Sequence, residues 1–241
     1  MDFTYESYSK LIKLLQDNGY EIRNYQNHIE SKKCAILRHD VDFDLYKAAT
    51  FSKYEKELGV KSVYFVLVSS NFYNVHSSCN TRNLYDILDS GHEVGLHFDE
   101  VKYAEGNIEK LEEAIYKEAE ILGNIIGKKI NAVSMHRPSQ KMLSSNLKLD
   151  GMVNTYGTLF FQKFQYLSDS RMNWRIDPEP IIRSGNYNKI QLLTHPFWYT
   201  EQDEMMTEKL KAFVLRASKE RYIELSSNIK DIESALPQDE L

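Results

Sequence analysis

The sequence is poor in cysteine: two in 241 residues, Cys34 and Cys79, with no CxxC pair. That excludes a disulfide framework and a cysteine-built zinc module, and it fits free thiols in a reducing compartment. Also missing is any apolar run near the ~18 residues of a membrane span. The opening MDFTYESYSKLIKLLQDNGY has neither a basic start nor an unbroken apolar segment, so no secretory signal is read there and a cytoplasmic location is expected. There is no basic excess either. Net charge is −5 with Lys and Arg scattered, which leaves no electrostatic footprint for nucleic acid or an anionic membrane. No linker of low complexity and no internal repeat divides the chain, so a single domain over 1–241 is expected.

What is present is a sizeable apolar content, 42% against 27% charged, arranged in alternating patterns. Leu11, Ile12, Leu14 and Leu15 ahead of Gly19 predict an amphipathic helix. CAILRH (34–39) predicts a buried strand, 45–58 a helix stopped by Gly59, and SVYFVLVSS (62–70) a β-branched and aromatic strand. A short helix is expected at 81–90, a strand at HEVGLH (92–97), a long helix over 107–125 and a strand at INAVSMH (130–136). Further on, the pattern predicts a helix at 139–147, strands near 151–156 and 180–183, a strand at KIQLLTH (189–195), and helices at 203–220 and 226–235. Strand–helix alternation with near-continuous apolar strands predicts a parallel α/β architecture covered on both faces.

Four of the seven histidines, His39, His97, His136 and His195, stand at the carboxyl end of a predicted strand, with Asp40 and Asp42 beside the first. In parallel α/β folds those ends converge on one rim, where sites are built. Imidazole with carboxylate is ligand chemistry for a divalent metal: zinc first, with cobalt, nickel, manganese or iron accommodated. Two carboxylates two residues apart share a strand face and are costly without a cation nearby. One can bind the metal while the other takes a proton from water. Asp44, directly before the helix expected from Leu45, is the better helix cap, which leaves Asp40 and Asp42 free for chemistry.

These motifs together resemble the polysaccharide deacetylase family, the NodB-homology or carbohydrate esterase family 4 group. The resemblance runs from about residue 35 to 199. It implies a distorted (β/α)7-type barrel with parallel strands, preceded by a lead-in helix (1–33) and followed by C-terminal helices (200–241). HDVD (39–42) is similar to the family's first motif and implies Asp40 as general base and Asp42 as metal ligand. GHEVGLH (91–97) implies His97 as a ligand. HRPS (136–139) implies Arg137 as the arginine that orients the base. SDSRMNW (168–174) implies Asp169 behind that arginine and Trp174 near the site. LLTH (192–195) implies Leu193 in the acyl pocket and His195 as general acid. Trp198, just beyond, is the candidate substrate wall.

The chain departs from the family pattern in one place above all. The residue four after His97, where a second metal histidine is usual, is Val101. His136 is the expected replacement, with Asp99 and His92 as the other candidates. The activity implied is removal of an N-acyl group from an amino sugar. The expected location makes a small soluble or nucleotide-linked sugar bound for surface glycans the expected substrate. Two alternatives remain at this point: hydrolysis of a non-sugar C–N bond such as a cyclic ureide, and a non-catalytic carbohydrate-binding relative.

Overall fold

The structure is a computed structural model in which residues 1–103 and 108–238 are described. The first residue of the helix expected over 107–125, and the last three of the expected C-terminal segment 200–241, lie outside the described residues. The chain forms two compact units, Met1–Glu201 and Gln202–Leu241. The first contains eight strands: β1 (Glu21–Arg23), β2 (Cys34–Val41), β3 (Val63–Leu67), β4 (Glu93–Phe98), β5 (Ala132–Met135), β6 (Val153–Asn154), β7 (Gln165–Ser168) and β8 (Lys189–Thr194). Its helices are α1 (Tyr5–Asp17), α2 (Leu45–Glu57), α3 (Ser78–Asp89), α4 (Ile108–Ile126), α5 (Gln140–Ser145) and α6 (Pro178–Ser184). The second unit consists of α7 (Met206–Asn228) and α8 (Ile232–Ala235), joined by a hydrogen bond from Tyr222 to Glu233. No helix among the described residues is long and apolar enough to cross a membrane.

The sheet runs β6-β5-β4-β3-β2-β8-β7, every pairing parallel. It curls into the distorted α/β barrel that the resemblance implies. β2 is the spine. Its first three residues pair with β1 and its last four with β3, while β8 lies along the opposite edge. All eight residues of β2 are buried, which explains its continuous apolar start. Asp44 caps α2 as expected, accepting from the backbone of Tyr46 and Lys47.

The expected strand at 180–183 is instead within α6. Asp177 caps that helix by accepting from Glu179 N, Pro178 starts it, and Gly185 ends it at φ 65°. This start-and-stop chemistry overrides the short apolar pair Ile181–Ile182. The strand that occupies this part of the sheet is β7, earlier in the chain.

One face of β2 is backed by a buried polar hub that also fixes α1 and α2. Glu55 of α2 is fully buried and accepts hydrogen bonds from Tyr8 of α1, Ser62 and Tyr64, with His39 Nε2 at 3.0 Å. Burial alone would raise its pKa, but the charge and hydrogen bond of His39, with His92 and Ser62, hold it at about 2. This is below the ordinary 4.5, so ionised Glu55 stabilises the fold at neutral pH. That contribution is lost as pH falls from about 4.5 through about 2. Thermal melts across that window should show Glu55→Gln losing stability less steeply with acid than the parent. Parallel curves for the two proteins would refute the role.

Candidate functional site

Alternation along β2 decides which side chains enter the barrel. Arg38 and Asp40 share one face; His39 and Val41 take the other. His39 is therefore not at the rim with the other histidines. It sits in the Glu55 hub, its Nδ1 2.7 Å from Thr194 Oγ1. In-register neighbours extend the inner face: Leu193 lies beside Arg38, Phe65 beside Asp40, Gly95 beside Phe65, and Ser134 beside His97. A Cβ on Gly95 would come within 2.5 Å of the Phe65 ring, so glycine is needed for that ring to fill the barrel.

Asp42, His136, Asp169 and His195 are each the first residue past a strand, and His97 is the penultimate residue of β4. Asp42, His97 and His136 converge. Asp42 Oδ1 is 3.1 Å from His97 Nε2 and 3.1 Å from His136 Nδ1, and the two nitrogens are 3.1 Å apart. They are the one such set of three metal-ligating groups among the described residues. Donors so spaced match three ligands of a single cation at about 2.1 Å. The buried Asp42 Oδ1 has no aligned hydrogen-bond donor among the described residues, despite both imidazoles beside it. A cation would satisfy that oxygen, and the one-carboxylate, two-imidazole set suits a zinc-like ion. Burial works against its charge, but His136, His97 and His195 hold Asp42 well below the usual carboxylate range. The same contacts raise His136 against its own burial, Asp42 first and then Asp99 and Asp40. Of the other candidate ligands, His92 lies in the Glu55 hub, bonded to Ser62 and Ser52, and Asp99 is engaged by Arg137.

Asp40 is held by Arg38, not by Arg137. Arg38, with no exposed surface, forks onto both Asp40 oxygens at 2.9 and 2.8 Å and also donates to Ser134. Its guanidinium packs over Tyr156 and Phe65. Arg137 instead grips Asp99, with Nε on Oδ1 at 3.3 Å and Nη2 on Oδ2. The reason is positional: Arg38 lies on the same strand and face as Asp40, whereas Arg137 stands at the end of β5 facing the end of β4. Burial opposes ionisation of Asp40, but Arg38, with His97 and His195, lowers its pKa below the ordinary value. Ser134 completes this arrangement, touching Arg38, Asp40 and His97 Nδ1 at once.

Asp169 also has a different partner from the expected one. It accepts from His195 Nδ1 at 2.6 Å and from the His195 backbone N–H at 3.1 Å. Burial pulls the imidazole down, but Asp169, then Asp42 and Asp40, push His195 up to about 9. The other ring nitrogen, Nε2, faces Asp42 Oδ2 at 3.8 Å. Leu193 is buried on the inner face. Trp198 is only 6% exposed and packs against Phe197 and Phe43, so its ring is largely covered; Phe72, on the same cluster, is 58% exposed. Trp174 is half-buried in the segment after β7, and the indole N–H groups of both tryptophans have no acceptor among the described residues.

Asp40 and the Asp42–His97–His136 set thus occupy one rim, with the His195–Asp169 pair beside them, in the order of the motifs read from the sequence. The chain resembles polysaccharide deacetylases. No protein-family model matches the sequence, and no curated protein matches it. Among solved structures it is similar to the Xyl-CE4 domain of a multidomain xylanase from the hindgut metagenome of Trinervitermes trinervoides, at 13% identity over 79% of this chain and 85% of that one, TM-score 0.46. It is similar to the peptidoglycan deacetylase PdaC from Bacillus subtilis, at 15% identity over 80% and 98%, TM-score 0.45. A family 4 carbohydrate esterase from Streptomyces lividans, in complex with acetate, matches at 12% identity over 68% and 79%, TM-score 0.46. None of these likenesses assigns a residue or a reaction to this chain.

Proposed function

We propose that this protein is a metal-dependent hydrolase that removes the N-acyl group from an amino sugar. The observation that carries the reading is the convergence of Asp42, His97 and His136 at 3.1 Å, flanked by an ionised Asp40 and a protonated His195. Asp42, His97 and His136 would hold the ion, zinc by preference for this donor set. When bound, it supplies a Lewis acid that eases ionisation of water and polarises an amide carbonyl. Asp40, kept ionised by Arg38, accepts the proton of the attacking water at a carboxylate oxygen. His195, anchored at Nδ1 by Asp169, delivers a proton from Nε2 to the departing amine nitrogen. Leu193, on the inner face beside Arg38, lines the space for the acyl group, and exposed Phe72, with Phe43, Phe197 and Trp198 packed in the cluster behind it, offers an apolar wall to a sugar ring.

The substrate we propose is a small acylated amino sugar, free or nucleotide-linked, of the kind used for surface glycans. The test is the zinc-loaded protein against acylated sugars, their nucleotide-linked forms and cyclic ureides, with free amine and carboxylate measured. Amine release from a sugar, stopped by a chelator, supports the reading. Turnover of ureides alone, or of none of the panel, sinks it.

The acid has a pH signature. His195 is raised, so it carries its proton below about 9 and loses it above. We expect kcat to fall on the alkaline side as His195 loses its proton, and Asp169→Asn to move that limb to lower pH. An unmoved limb in the variant would remove His195 from the acid role.

A further inference from the structure

We propose that Asp99 and Arg137 form a clamp whose work is to bring His136 into the ligand set, making up for the histidine absent at position 101. The inference rests on the metal-site reading above. Val101 is 54% exposed and has no donor atom in its side chain, so the turn after β4 cannot supply the third ligand from that position. What the turn supplies instead is Asp99, two residues past His97 and 4% exposed. Arg137 directly follows His136. Each of the two ligands thus has a clamp residue within two positions of it in the chain, just past the ends of neighbouring strands.

The backbone does not hold this pair of ends by itself. The last bond from β5 to β4 runs from His136 N to Phe98 O at 2.9 Å, and past it the chains leave the sheet. Beyond that point the ties are the two-pronged Arg137–Asp99 contact, nearest the ligands, and a hydrogen bond from Ser139 N to Glu100 Oε1 further out. A forked guanidinium fixes both distance and plane, which a single charge contact does not. The turn is closed onto the same carboxylate, since Val101 N donates to Asp99 Oδ1 at 3.4 Å. His97 has its own support, Ser134 Oγ at Nδ1, 3.1 Å away. The clamp gives the chain segment carrying His136 a comparable anchor, and the outcome is the 3.1 Å separation of the two ligating nitrogens. Arg137 and Asp99 touch neither ligand nitrogen, so they are positioning residues.

Zinc affinity of the full-length protein, measured by competition with a chromophoric chelator, is the readout, and it needs no substrate. Loss of an outer partner of a metal ligand typically costs about 10–100-fold in affinity. We expect Arg137→Gln and Asp99→Asn each to weaken zinc binding in that range, the double variant to be no worse than the weaker single, and Arg137→Lys to fall between. The metal-free Tm of Arg137→Gln should change little, because its side chain is 58% exposed. Unaltered zinc affinity in both single variants overturns the clamp while His136→Ala still loses binding. If His136→Ala binds as tightly as the parent, or the parent binds no zinc, the metal assignment itself falls and the clamp with it.

Discussion

Arg38→Met is expected to lower the free energy of unfolding by about 3–5 kcal/mol, the usual loss when one member of a buried ion pair is removed. Arg38 has no exposed surface and Asp40 almost none. Without the guanidinium, Ser134, at 3.3 and 3.4 Å, would be the one hydrogen-bond donor left to Asp40 among the described residues. Its charge would then be buried and largely unmatched. Arg38→Met/Asp40→Asn should recover much of the loss, because both charges leave together; the two effects should be strongly non-additive. Urea denaturation of the four metal-free proteins measures this. If the single variant is as stable as the parent, the pair is not the structural unit that the geometry indicates.

Asp40→Asn is expected to lower kcat by about 10²–10⁴-fold, the range for loss of a positioned acid–base group. Its zinc affinity should be nearly retained, since Asp40 lies outside the converging set, with Oδ2 3.7 Å from His97 Nε2. Asp42→Asn should lose zinc affinity as well as activity. The contrast separates base from ligand: the two aspartates are two residues apart, and only a metal-binding measurement beside the kinetics tells them apart. Assays belong below the lowered Tm of Asp40→Asn, which leaves the Arg38 charge buried. Hydrolysis at the parent rate in Asp40→Asn would refute its role as base.

The parallel α/β architecture was legible because its strands are apolar runs bounded by helices, and strand ends carry the chemistry in such a fold. The Asp42–His97–His136 grouping was legible for the same reason. What misled was the weight given to motif order over strand alternation. Arg38, in LRHDVD, is two residues before Asp40 and so on its face, which already identifies it as the partner; His39, one residue away, is assigned to the opposite face by the same rule. Ser134 carried no signal beyond its place two residues before His136. The segment 180–183 failed because four residues contain too little pattern to outweigh a capping aspartate, a leading proline and a trailing glycine. The partner of Asp169 depends on how β7 and β8 lie side by side, which spacing in the chain does not encode.

Among the described residues no backbone ladder joins β6 to β7; a side chain spans the gap instead, Gln191 Nε2 of β8 donating to the carbonyls of Thr155 and Phe160. Asp42, His97 and His136 belong to the continuous span from β2 to β6, whereas His195 and Asp169 follow β8 and β7 across the spine. The His195–Asp169 pair and the Asp42–His97–His136 set are therefore positioned by different strand pairings that share β2 as their common reference.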